Sequence, residues 1–166
     1  PTDLADLQLR AAEMQDRLAL SPRADFAELV SCATALTGKR IVVKAVGSSA
    51  WETVTGLLLV RPESAMILIR ATDPWWYQFH IVLHEIAHLL FQHPGSHALP
   101  GHHPGSQFAL PGQTVLARGI TPLSSDGDID FSDVASVVEA EAENLAHVLS
   151  QLVLGTWHTR TERLSA

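Results

Sequence analysis

The stretch QFHIVLHEIAHLLFQH, residues 78–93, places histidines at 80, 84, 88 and 93 and one carboxylate, Glu85, inside an otherwise apolar run. At about 100° per residue on a helix, His80, His84 and His88 share a stripe about 80° wide with Phe91, opposite Val82, Ile86 and Leu89. Leu83, Ala87 and Leu90 fill one flank, so this helix is apolar nearly all round and is expected to run through the middle of the protein. Buried imidazoles need partners, and a buried carboxylate needs them more. Metal coordination would supply both. His84-Glu85-Ile86-Ala87-His88 fits the HExxH pattern, in which two imidazoles one turn apart each give a ring nitrogen to one tetrahedral zinc. Glu85, directly after the first ligand, would point beside the metal and take a proton from bound water. The competing reading is a satisfied pair of core histidines next to an incidental glutamate.

A third ligand must come from another element. Val134, Val137, Val138, Leu145, Val148, Leu149 and Leu152 form an apolar stripe in the last helical segment. Glu141 lies at its centre, within about 40° of Val137, Leu145, Val148 and Leu152. A carboxylate in a buried stripe must lose its charge or meet a cation. Glu141 is therefore expected to complete a zinc site with His84 and His88, while Glu139 and Glu143, about 160° away, face water. A helix entering the core slightly rotated, with Glu141 at its rim, is the alternative. The fourth position would hold water. Glu85 would accept the proton of that water as it attacks a peptide carbonyl, then return it to the leaving amine. Help with the oxyanion is expected from Tyr77, His80, His147 or His158, which the spacing does not rank.

These residues need elements to hold them. Leu4, Leu7, Ala11, Met14 and Leu18 recur at helical spacing behind a possible Thr2 cap. SPRADFAELVSCATALTG reads as a second helix, with Ser21 as cap, Pro22 at the first position and Gly38 as stop; together these form an N-terminal helical segment, 1–38. Residues 40–46, 53–60 and 64–70 are β-branched and aliphatic runs with short connections, which predict a three-stranded antiparallel meander. Asp73-Pro74 is expected to open the central helix, anchored by Trp75, Trp76 and Tyr77. Residues 93–125 read as a long loop containing the echo HPGSHALPG and HPGSQFALPG. A helix follows from about Phe131 to Leu154, then a polar tail, 155–166.

HEIAH at 84–88 together with EAEAENLAHVL at 139–149 resembles the ImmA/IrrE family of zinc metallopeptidases, which pair a HExxH helix with a later E-x-E-A-(N/D)-x-F-A-x-x-L helix. Glu143 stands where Asn or Asp is usual, Leu145 replaces the common Phe, and the lead-in R-F-T-x-A-H-E is here FHIVLHE. The resemblance covers roughly residues 40–155 and puts the ligand glutamate on Glu141. It implies an α+β, zincin-like domain with a C-terminal ligand-bearing helix, zinc as cofactor, and a helix-turn-helix transcriptional repressor as protein substrate. It also implies that residues 64–70 form an edge strand, which an extended substrate would join by main-chain hydrogen bonds. The rival expectation is a non-proteolytic zinc-containing partner of such a regulator, a toxin or sensor. Glu85 would be idle there, and its presence favours the enzyme.

Composition sets the outer bounds. A chain of 166 residues, 46% hydrophobic and 17% charged, reads as one globular domain able to bury a core without staples. The formal charge of -7 is concentrated in the carboxylates between Asp126 and Glu143. The 11 Lys+Arg are scattered, which argues against direct nucleic-acid binding. Cys32 stands alone and reads as a small core residue. No apolar run reaches the ~18 residues of a membrane span, and the first residues lack a signal-peptide core, so a cytoplasmic location is expected. DGDIDFSD, 126–133, lacks the glycine and final glutamate of an EF-hand and reads as helix-capping acid. His93, His97, His102 and His103 are read as a solvated loop cluster rather than a second metal site.

Overall fold

The computed structural model describes residues 3–47, 54–94, 114–119 and 133–164. Its elements are α1 (Leu4–Leu18), α2 (Phe26–Thr37), β1 (Arg40–Val46), β2 (Val54–Val60), β3 (Ser64–Arg70), α3 (Trp75–Phe91), β4 (Thr114–Gly119) and α4 (Val134–Leu164). The protein is α+β. Helix α1 starts on a capping box in which Asp3 and Asp6 exchange side-chain and backbone hydrogen bonds; the expected cap, Thr2, lies outside the described residues. Helix α2 starts later than its sequence suggests. Asp25 caps it by accepting from the Glu28 amide at 2.9 Å, and Ser21 instead binds the Glu28 carboxylate through its amide and hydroxyl. Gly38 ends it in the left-handed conformation, φ 68°, as expected.

The sheet departs from the expected three-stranded antiparallel meander. Among the described residues it is four-stranded and mixed, in the order β1-β3-β2-β4, with β1 parallel to β3 and β2 antiparallel to both β3 and β4. The β2–β3 turn is tight, the Arg61 amide donating to the Ser64 carbonyl at 2.8 Å. That hairpin inserts β3 between its own partner and β1. Burial explains the order: Ala65, Ile67, Leu68 and Ile69 are all buried, so β3 needs cover on both faces and takes an interior place. β1 carries exposed Arg40 and Lys44, which an edge tolerates. Residues 64–70 are thus not an edge, and among the described residues the sheet edges are β1 and β4. β4 also interrupts the expected 93–125 loop, drawing its strand character from pairing with β2.

At the far end α4 continues through the expected polar tail to Leu164. Gly155 costs a helix only about 1 kcal/mol, which the long apolar run before it, Leu145 to Leu154, can absorb. Asp133 caps its start, accepting from the Ser136 amide at 2.9 Å, in line with the capping role expected for the acidic run.

Helix α3 runs through the core. Every residue from Ile81 to Leu90 is buried, and the helix touches β2, β3, α2 and α4. Tyr77 and Phe79 seat its first turn, whereas Trp75 and Trp76 are 70% and 59% exposed and do not anchor it. Asp73 accepts from the Arg70 side chain at 2.7 Å rather than capping the helix. Among the described residues, no helix is long and apolar enough to cross a membrane.

Candidate metal centre

The stripe on α3 delivers its imidazoles as the spacing requires. His84 and His88 are 1% and 2% exposed, and their Nε2 atoms face each other at 2.8 Å. Across from them stands Glu139 of α4, its carboxylate oxygens 3.8 Å from the Nε2 of His84 and 3.6 Å from that of His88. His84, His88 and Glu139 form one of two groups, among the described residues, whose ligand atoms all approach within 4.8 Å; the other is His80, His84 and Glu143.

The Nδ1 atoms are held from behind. Glu143 accepts from His84 Nδ1 at 3.0 Å and lies 3.3 Å from His80 Nε2. Hydrogen bonding with His80, then with His84, holds the Glu143 carboxyl well below the ordinary carboxylate range, against the opposing effect of its partial burial. On the other side His88 Nδ1 meets His93 Nδ1 at 2.8 Å, and His93 Nε2 donates to Glu141 at 2.9 Å.

Counting protons along this chain shows what it demands. From Glu143 through His84, His88 and His93 to Glu141 there are four contacts, and three neutral imidazoles bring one N–H each. Three protons cannot fill four contacts between acceptors. The carboxylates at both ends accept only, so they draw N–H groups outward, and the shortfall falls in the interior of the chain. It falls at His88–His93 when His88 holds its N–H on Nε2, and at His84–His88 when His88 holds it on Nδ1; the Glu139 carboxylate stands beside the latter contact. A cation satisfies that contact, and two imidazole nitrogens with one carboxylate oxygen is a donor set of catalytic zinc. The residues fit the metal.

Glu141, expected as third ligand, is elsewhere. It is 3% exposed, but its Oε1 pairs with Arg10 Nε of α1 at 2.7 Å and its Oε2 accepts from His93 Nε2. The wet-face carboxylates, Glu139 and Glu143, are the ones beside the histidines, with half-exposed side chains. The expected valine stripe is at fault. Val134 is 75% exposed, and among the described residues of α4 those at 0% exposure are Ala142, Leu145, Ala146 and Leu149. That stripe is centred about 70° from Glu139 and about 90° from Glu141, so acids line both its margins. Because α4 packs on α3 along one margin and on α1 along the other, each acid meets a different partner.

Glu85 is fully buried and lies against β2. A Cβ at Gly56 would stand 2.8 Å from its carboxylate oxygen and 2.6 Å from Ile81 Cγ2, so only glycine admits the acid there. Gly56 adjoins a register shift in the β2–β4 pairing, a bulge of the kind found beside active sites. Of the oxyanion candidates, His80 is drawn to the centre through Glu143. Tyr77 packs on the core, and His147 pairs with Gln151 on an exposed face. The side chain of His158 lies outside the described residues, as do His97, His102 and His103. Sequence reasoning passed over Glu139, Glu143, Arg10 and the role of His93. The four-residue spacing of Glu139 and Glu143, which matches that of His84 and His88, was the available signal. Comparison with protein-family models, with curated proteins and with solved structures finds no match to this chain.

Proposed function

We propose that this protein is a zinc-dependent endopeptidase of zincin type, with His84, His88 and Glu139 as metal ligands and Glu85 as general base. The single observation that carries the reading is the convergence of two buried Nε2 atoms, 2.8 Å apart, with a carboxylate that reaches both. Zinc held there would polarise a peptide carbonyl and acidify water. The half-exposed Glu139 and Glu143 leave one side of the centre open to solvent, as a site that must admit a polypeptide requires; structural zinc is closed off by protein ligands. Glu85, one residue after a ligand and wedged against Gly56, would hold the proton during attack and return it to the amine. Its full burial favours a proton-shuttling carboxyl over a solvated one. β4 is the outer strand on the β2 side, and its edge is where an extended substrate would pair. The resemblance of HEIAH and EAEAENLAHVL to ImmA/IrrE proteins supplies the substrate class, a helix-turn-helix repressor, and a cytoplasmic setting.

The test combines metal analysis with cleavage of a helix-turn-helix repressor encoded beside this chain. Wild type and Glu85→Gln should bind equivalent zinc, and the variant should cleave about 10²–10⁴-fold more slowly. Equal repressor inactivation by both proteins, with no new termini in mass spectra, would establish the non-proteolytic partner instead.

A further inference from the structure

We infer that Arg10, Glu141 and His93 form a positioning relay that fixes the ring and tautomer of His88, making the first helix of the chain a part of the metal centre. The inference rests on the zinc reading above and extends it away from the substrate side. With His88 Nε2 given to the metal, the order of contacts leaves one arrangement. Arg10 offers only N–H groups and its Nε pairs with Glu141 Oε1 at 2.7 Å, an ion pair that leaves Oε2 as the acceptor facing His93. His93 must then carry its proton on Nε2 to donate to Glu141 at 2.9 Å, and its Nδ1 is left with a lone pair. His88, 2.8 Å away, must carry its own proton on Nδ1. His88 Nε2 is thereby presented to the metal. On the other side Glu143 does the same for His84 in one step; here the chain needs two.

The relay is also held mechanically. Gln92 ends α3 in the left-handed conformation, φ 56°, and turns the chain back so that the His93 amide donates to the His88 carbonyl at 3.1 Å. The His93 ring stacks on Phe91 at 5.4 Å and 25°, and the Arg10 guanidinium lies 5.9 Å over that same ring. The His93 side chain is 6% exposed, close to the burial of the two histidines proposed as ligands. A plain structural ion pair between α1 and α4 would be indifferent to where the imidazole protons sit. This one dictates it.

The experiment uses the full chain and two readouts that do not depend on catalysis. Zinc affinity is measured by chelator competition, and imidazole tautomers by long-range proton–nitrogen NMR. Wild type should show the Nδ1–H form at His88 and the Nε2–H form at His93. His93→Ala and Glu141→Gln should weaken zinc about 10–100-fold, the usual cost of removing an outer hydrogen-bond partner. Gln in place of Glu141 keeps the shape but must turn its NH2 on either Arg10 or His93, so it reports on the relay should His93→Ala fail to fold. His93→Gln, which keeps one acceptor and one donor, should recover part of the affinity. Folded variants that bind zinc as tightly as wild type, or a His93 protonated on Nδ1, overturn the relay. A wild-type chain that takes up no zinc overturns the hydrolase reading, and the tautomers then decide the relay by themselves.

Discussion

Glu139, Glu141 and Glu143 stand on one helix, two residues apart, and they meet opposite fates. The outer two are half exposed and face imidazoles of α3; the middle one is buried and faces a guanidinium of α1 and an outer histidine. A buried charge announces that it has a partner, but not which one. Glu141 has all the burial expected of a metal ligand and none of the placement. Glu139 lies at the solvent-exposed margin, and that is where a ligand has to be if substrate is to reach the metal. On the zinc reading proposed above, the pair separates two jobs, holding a metal and holding the residue that holds the metal.

Substitution should separate them too. Zinc bound by four groups gains about 10–16 kcal/mol in small domains, so one ligand is worth roughly 3–4 kcal/mol. Glu139→Ala should therefore weaken zinc by roughly two to three orders of magnitude while leaving the urea midpoint of the metal-free protein nearly unchanged, because its side chain is half in water. Glu141→Ala should do the reverse. It strands the buried His93 N–H, which costs the metal-free fold about 1–3 kcal/mol, and its effect on zinc should be the smaller of the two. Variants that lose zinc and stability in parallel would erase the distinction drawn here.

Much of this was legible in the sequence, and the failures share a cause. The α3 pattern is long, strongly periodic and carries HExxH, so its place and the pairing of His84 with His88 could be read directly. β1 and β3 appear at the expected bounds because their apolar runs are sharply punctuated. Strand order was not legible. It depends on which strand needs cover on two faces, a comparison among runs of similar hydrophobicity. The facing of α4 was misread because valines drew the stripe toward Glu141. Alanine contributes little to an apolar pattern, yet Ala142 and Ala146 are 0% exposed and lie within the buried stripe of α4. Enlarging one of them tests this. Ala146→Leu should destabilise by about 1–3 kcal/mol in urea titrations, the usual cost of overfilling a packed core. A helix buried along its valines would take the larger side chain without loss.

The smallest effect is expected at the residue on which the valine stripe began. Val134 opens α4 just after the Asp133 cap and is 75% exposed. Fully burying a valine is worth at least about 1.5 kcal/mol, and a quarter of that is about 0.4. Serine and valine have similar helix propensities, so Val134→Ser changes little besides this apolar contact. Its stability should lie within about 0.5 kcal/mol of wild type, with zinc affinity unchanged. A loss above about 1.5 kcal/mol would mean that α4 buries its valine side. The helix would then have to be rotated, carrying Glu141 into the core toward the α3 imidazoles and Glu139 away from them.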